Sequence, residues 1–376
     1  MSWENKFFID FILLQRGHDL TKEQIKPGIY PVVTSTSIMG YHNAFKAEGP
    51  GVVTGRSGTI GEVQYIEENY WPHNTSLYVK DFKGNNPKFV YFFLKNFGTA
   101  QAKSGSAVPT LNRNNLSKIP VRIPDVGTQQ RIASILSAYN DLIENNRRQI
   151  KLLEEAAQRL YKEWFVDLRF PDWETTPITD GVPEGWIICT AGDVIDFNPK
   201  TPLTKGRIKQ SVPMSALSTS SMVLNSSEFT MTESNSGAKF RNRDTLLARI
   251  TPCLENGKTA FVAGITSEEG AVGSTEFIVM RAKEINPYMV YLLARTEEFR
   301  KTAINSMTGS DGRQRAQVDK IMQFPYLLAP QSILEAFSLL IEPIFEQVYL
   351  KNSQIAWLSQ ARDRLLPKLM SGEIEL

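Results

Sequence analysis

The side chains best suited to chemistry in this chain are arginines, amides and small hydroxyls gathered in loops. In the first half they lie at residues 34–43 (TSTSIMGYHN, with Ser35, Thr36 and Tyr41), at 55–61 (GRSGTIG, with Arg56), and around Lys103, Thr110 and Arg113. In the second half they lie at 215–221 (with Ser218), in the run holding Lys239, Arg241 and Arg249, and in the loop holding Ser310, Arg313 and Arg315. Arginine and amide side chains make two-point hydrogen bonds to guanine and adenine edges, while lysine, serine and threonine hold phosphates. The chemistry they point to is nucleic-acid recognition. Singly, each also reads as a solvated turn. Their occurrence in both halves is what favours recognition.

No catalytic arrangement accompanies them. Residues 252–259 (PCLENGKT) end like a phosphate-binding loop, but Pro252 stands where its first glycine belongs, so the backbone cradle is missing. His18, His42 and His73 are scattered, without metal-ligand spacing. Cys189 and Cys253 make neither a disulfide framework nor a metal site. Pro171-Asp172 lacks the acidic-x-Lys that a nuclease site needs downstream, and no FxGxG or NPPY-like pair marks an adenine methyltransferase. The expectation is a non-catalytic chain with no metal and no cofactor of its own.

The elements that must position these loops start with residues 129–165, which contain no proline or glycine and are rich in Leu, Ala, Glu, Gln and Arg. That composition predicts one helix, about 55 Å long at ~1.5 Å per residue. Leu136, Ile143, Ile150, Ala157 and Trp164 recur every seventh residue. Tyr139, Leu153 and Leu160 fill the position three further on, with Asn146 as a polar exception. This is the seam of a coiled coil. It recurs near the C-terminus as Ile341, Val348, Ile355, Arg362 and Leu369, with Ile344, Lys351, Leu358 and Leu365 beside them. Each position lies 205 residues from its counterpart, so Asn146 answers to Lys351. Pro343 is expected to kink the second helix or to mark off a short preceding helix from about Gln331, and Pro367 to fray its last turn.

Before the first helix, and again between the two, comes the same pattern of short apolar runs and Gly, Pro, Ser and Asn turns. NPKFVYFFL at Asn86 is echoed by NPYMVYLLA at Asn286, and VTGR at Val53 by LLAR at Leu246. HNTSL at His73 is echoed by GSTEF at Gly273, YPVV at Tyr30 by VPMS at Val212, and Asp10-Phe11 by Asp196-Phe197. The order is preserved throughout, which indicates tandem duplication of a globular unit followed by a long helix. The expected fold is α+β, with two globular α/β recognition domains joined and separated by two long antiparallel helices and related by a pseudo-two-fold axis. Boundaries fall at 1–125 (first recognition domain), 126–180 (first helix and a Pro/Gly-rich linker), 181–328 (second recognition domain) and 329–376 (second helix).

Composition agrees with an ordinary globular chain of 376 residues in about two to three domains. A net charge of +2 does not announce nucleic acid, although a local basic face can be masked by acidic surface elsewhere. No run approaches the ~18 apolar residues of a membrane span, and the first residues lack a signal-peptide pattern, so the expected place is the cytoplasm, away from membranes.

In this order, several segments resemble the specificity (S) subunits of type I restriction-modification enzymes. They are GYHN after YPVVTSTSIM, GRSGTIGEVQY with WPHNTSLYV, IPDVGTQQRIASIL and the helix it opens, VPEGW with DFNPK, and LLPKLMSGEI. The resemblance covers nearly the whole chain, although the first half lacks a counterpart to VPEGW. It implies a DNA-binding subunit that reads a split target in double-stranded DNA, one short half-site per recognition domain, with the helix pair as a ruler. It also implies partners: two methylation (M) subunits that bring S-adenosylmethionine, and restriction (R) subunits that use ATP and Mg. The other reading left by the residues is a scaffold that pairs methyltransferase subunits without reading DNA.

Overall fold

A computed structural model describes residues 3–55, 62–103, 116–310 and 312–376, the backbone alone at 98–103. Arg56, Thr110 and Arg113 lie outside the described residues. The chain divides into two compact units, residues 1–144 with 356–376, and residues 145–355.

In the first unit the incoming strand Trp3–Phe7 pairs antiparallel with the outgoing strand Pro120–Pro124, Trp3 opposite Pro124 and Phe7 opposite Pro120. Everything between hangs on this ladder. A four-stranded antiparallel sheet has the order Leu13–Arg16, Ser76–Asp81, Gly51–Gly55, Val63–Ile66. A smaller sheet orders Ile38–His42, Tyr30–Val33 and Trp71–Pro72, with the last two strands parallel. Helix Pro87–Lys103 begins at the Asn-Pro pair. Asn86 Oδ1 accepts from Phe89 N at 3.0 Å, and proline at the first helical position sacrifices no bonded donor. Phe89, Val90 and Phe92 of this helix are buried in one core with Leu14, Val52, Leu77 and Val79 of the sheet. Each such side chain contributes roughly 1.5–3 kcal/mol of burial.

The second unit repeats the plan. Its ladder pairs Ile187–Thr190 with Pro325–Leu328. Its main sheet orders Ile195–Phe197, Phe277–Ala282, Thr245–Ala248 and Thr259–Phe261, all antiparallel. Its smaller sheet orders Thr230–Thr232, Lys209–Val212, Ala271–Gly273 and Ala238–Phe240, with the central pair parallel. Helix Pro287–Arg295 is capped by Asn286, whose Oδ1 accepts from Met289 N at 2.8 Å. The edge strand Ala238–Phe240 is reduced in the first unit to a single bridge between Ala47 and Tyr70, and the one helix Pro87–Lys103 stands where the second unit has two, Pro287–Arg295 and Glu297–Asn305.

The structure corrects three echoes. Val33 O accepts from His73 N, and Val212 O accepts from Ser274 N, so Val33 matches Val212 and His73 matches Ser274. The YPVV and VPMS segments are therefore three residues out of step, and HNTSL and GSTEF one. Asp10 and Phe11 belong to the turn Phe8–Phe11, whose counterpart is Ala191–Val194, whereas Asp196 and Phe197 lie on the following strand. Short strands flanked by small polar residues carry too little pattern to fix a register.

The first long helix is Val126–Tyr161, followed by a π-helical turn at Lys162–Val166. It starts three residues earlier than its composition suggests because Asp125 caps it: Oδ1 accepts from Thr128 N and Oδ2 from Thr128 Oγ1. Gln129, buried at its first turn, donates through Nε2 to Asn85 Oδ1 and Pro124 O and accepts from Asn86 N. The two helix starts are thereby joined.

The second long helix runs unbroken from Gln331 to Ser371, through both Pro343 and Pro367. The expected short preceding helix and frayed end are not found. Each proline forfeits one backbone bond, while Ile341 and Phe345, and Leu366 and Leu369, bury on either side of it.

Within the first unit Leu136 shares a core with Leu366 and Leu369, and Asn140 Oδ1 accepts from Arg362 Nη1 at 2.8 Å. Within the second unit Ile150, Ala157 and Trp164 share a core with Phe337, Ile341 and Val348, and the Trp164 and Phe337 rings lie 5.5 Å apart. Early residues of one helix meet late residues of the other, so the helices run antiparallel.

The remaining seam positions differ in depth. Ile143 and Asn146 are buried, while Leu153, Leu160, Lys351, Ile355, Leu358 and Leu365 are half-buried.

Candidate nucleic-acid interface

In the first unit Ser35 and Thr36 sit in the turn between the strands Tyr30–Val33 and Ile38–His42, a turn closed by Thr34 Oγ1 donating to Ser37 O at 2.8 Å. Tyr41 stands on the second of these strands with 51% of its surface exposed. Lys103 is the last residue of the helix Pro87–Lys103. The three histidines serve the surrounding fold. His42 Nδ1 accepts from Lys26 N at 3.0 Å, His73 pairs with Leu20 O, and burial together with Lys46 lowers the pKa of His18.

The second unit brings several of the predicted side chains together. Arg249 follows the strand Thr245–Ala248. Its N donates to Glu276 O, and its O accepts from Ala316 N. This places Arg315 beside it, where Nε and Nη2 grip both oxygens of Glu276 at 2.7 to 3.0 Å. The Arg315 guanidinium holds the Glu276 carboxyl below the usual carboxylate range, with a smaller contribution from Arg249. Arg249 Nε stays 3.9 Å from Glu276 and, though enclosed, has no hydrogen-bond partner among the described residues. Lys239, half-buried on Ala238–Phe240, lines the same recess as Arg249.

The other candidates stand apart from this cluster. Arg313 is exposed in a turn closed by its own N donating to Ser310 O. Arg241 is exposed, and its N donates to the buried Asp244, which Arg281 grips with two bonds of 2.7 Å. Ser218 spends its hydroxyl on the local turn, accepting from the backbone N of Ser220 and Ser221. That turn borders an open pocket of about 930 Å³ with Arg147, Lys151, Glu154 and Asn352 in its lining.

Three contributors went unseen in the sequence. Glu276 orients Arg315, although a lone glutamate gives no such signal. Glu154 lies on a seam-bearing helix, yet it buries its carboxylate to accept from Ser221 Oγ at 2.8 Å and Met222 N at 2.7 Å. Met231, 62% exposed, stands on an edge strand, where alternation could have flagged it.

Among the described residues no group of His, Cys, Asp and Glu is placed to hold a metal ion, and no helix is long and apolar enough to cross a membrane.

Residues 2–155 match the family of the type I restriction modification DNA specificity domain. Over 98% of its length the chain is 25% identical to the type I restriction enzyme MjaIX specificity subunit of Methanocaldococcus jannaschii, spanning 84% of that protein. The chain resembles type I specificity subunits along its whole length. It is also 31% identical, over 40% of its own length and 26% of the relative's, to the EcoEI specificity subunit of Escherichia coli. Among solved structures, the S subunit of a type I restriction-modification system from M. genitalium matches 98% of this chain and 96% of its own, with a TM-score of 0.62 at 14% identity. The fold is that of an S subunit, two sheet-rich units and an antiparallel helix pair.

Proposed function

We propose that this chain is the non-catalytic DNA-reading subunit of a type I restriction-modification complex. Residues 1–125 and 181–328 each read one half-site of a split target, and the helices fix the gap between them. The chain docks methylation subunits, which supply S-adenosylmethionine, and restriction subunits, which supply ATP and Mg chemistry. Its own role is contact. Tyr41, Arg56, Lys103, Thr110 and Arg113 with Ser35 and Thr36 serve the first half-site. Ser218, Lys239, Arg241, Arg249, Arg313 and Arg315 serve the second.

The observation that carries this reading is the repeated plan: one sheet topology built twice, each time with exposed recognition-type side chains on its loops. A target of two short half-sites suits such a chain, because each unit needs to span only a few base pairs of major groove. The modest net charge is compatible with partners that supply much of the phosphate contact.

The test is to co-express the chain with its methylation subunit and map modified adenines across genomic DNA by single-molecule sequencing. The expected result is a split motif with a fixed gap. An assembled complex that modifies no sequence-defined site would leave the chain as a scaffold for methyltransferase subunits, and a continuous motif would refute one half-site per unit.

A further inference from the structure

Arg249 and Lys239 face a recess of about 290 Å³ walled by Phe277 and Val279, with Asn198 and Thr275 adding polar groups. The charges around it do not balance. Glu276 is the carboxylate beside Arg249, but both its oxygens are taken by Arg315. Glu276 and Arg315 offset one another. Among the described residues Lys239 has no ion pair, and Arg249 has only the long 3.9 Å approach to Glu276. Among the described residues the Arg249 guanidinium has no hydrogen-bond partner, and its Nε is shut off from solvent. The Arg249 side chain keeps 30% of its surface exposed, so an anion entering the recess can meet its positive charge without displacing a close partner.

We propose that this recess takes a phosphodiester of the DNA backbone, with Arg249 and Lys239 as its two cationic contacts. The assignment rests on the reading of the chain as a DNA-binding subunit and deepens it by separating positioning contacts from base contacts. Shape decides between the two. Base edges lie on the floor of a groove ~8.5 Å deep and are reached by side chains that stand out from the protein. A phosphate stands out from the duplex and is met by a hollow. Arg249 sits in a hollow, with its side chain only 30% exposed. A cation held there fixes register on the duplex and carries no sequence information.

The experiment uses the full chain assembled with its methylation subunit. Affinity is measured across a salt series on a duplex carrying the mapped motif and on a scrambled duplex, for wild type, R249A and K239A. Thermal melting shows that each variant is folded, and K239A, at a half-exposed strand position, stands in should R249A fail to fold. The expected result is a roughly tenfold loss on both duplexes alike, a salt slope reduced by about one, and an unchanged methylation motif. A neutral methylphosphonate scanned along the duplex should weaken wild type at one position and leave R249A indifferent there.

Three outcomes overturn the proposal. One is unchanged affinity in both variants. Another is a motif that loses one base in R249A, which would make Arg249 a base reader. The third is stabilisation of wild type but not R249A by inorganic phosphate alone with DNA affinity unaffected, which would make the recess a small-anion site. A wild-type complex that marks no split motif fails the broader reading instead, and does so before any variant is compared.

Discussion

Tyr41 and Met231 occupy the same position in the two units. Tyr41 is the cross-strand partner of Pro31, two residues before Val33, and Met231 is the partner of Gln210, two residues before Val212. Val33 and Val212 are matched by the backbone bonds they accept from His73 and Ser274. Both side chains are exposed, at 51% and 62%. The same relationship holds for Ile29 and Ile208, exposed at 76% and 64%. Scattered exposed apolar residues are ordinary, but these recur at matched positions of the two units.

Because these side chains bury little, replacing Tyr41 or Met231 by alanine should change stability by less than about 0.5 kcal/mol. Under the DNA-reading proposal, Y41A relaxes only the first half-site and M231A only the second, seen as degenerate positions in one arm of the methylation motif. Degeneracy in neither arm, from folded and assembled variants, would place this surface elsewhere than on DNA.

Asp244 should be the costliest polar residue of the second unit to lose. It is 1% exposed, accepts two 2.7 Å bonds from Arg281 and a third from Arg241 N, and Arg281 also reaches Thr201 Oγ1 at 2.9 Å. Removing one member of a buried pair leaves the other charge uncompensated, so D244A should destabilise by roughly 3–5 kcal/mol in denaturant unfolding. A loss below about 1 kcal/mol would show that Arg281 finds solvent when released.

Glu154 should make stability depend on pH in the opposite sense to a paired carboxylate. Burial raises its pKa, outweighing the bonds from Met222 N and Ser221 Oγ that act the other way. The folded chain therefore holds a proton that the unfolded chain has already released. That contribution is fully present below the ordinary carboxylate pKa and is lost as pH rises through the raised value. Glu154→Gln retains an acceptor without the charge, so its stability should be flatter across this window than that of wild type. Parallel pH profiles for the two proteins would refute the assignment.

If the helices set the gap, one heptad added to each, near Ile150 and near Ile355, should lengthen the required spacer by about three base pairs. Seven residues extend a helix by ~10 Å, and duplex DNA rises ~3.4 Å per base pair. The half-sites themselves should not change. An unaltered gap in the methylation motif would end the ruler idea. Asn146→Leu probes the same seam more gently, and unchanged helix pairing would make the buried amide a tolerated notch rather than a register pin.

The long helices and the duplicated plan were legible because their signals are long and repeated. A helix whose residues 129–161 are free of proline and glycine announces itself, and the echoed Asn-Pro pairs fall at the starts of the two shorter helices, capped by Asn86 and Asn286. Register was not legible, because the strands around Val33 and Val212 are only four residues long. The interface was read by residue type but not by commitment. Ser218 is absorbed by the backbone of its own turn, which residue type alone does not show, and Arg315 by Glu276, far from it in sequence. No separate helix precedes Pro343, where Ile341 and Phe345 bury on either side of the one missing backbone bond.

The two ladders have a meaning for inheritance. In each unit the strand that leads the chain into the sheets lies beside the strand that leads it out: Trp3–Phe7 against Pro120–Pro124, and Ile187–Thr190 against Pro325–Leu328. A segment bounded by such a clasp begins and ends at one place. Recombination that swaps the interior at these strands leaves the clasp and the neighbouring helix intact, and brings in a different set of reading loops. If the units read DNA as proposed, one crossover pair in one gene gives a new specificity in a single step.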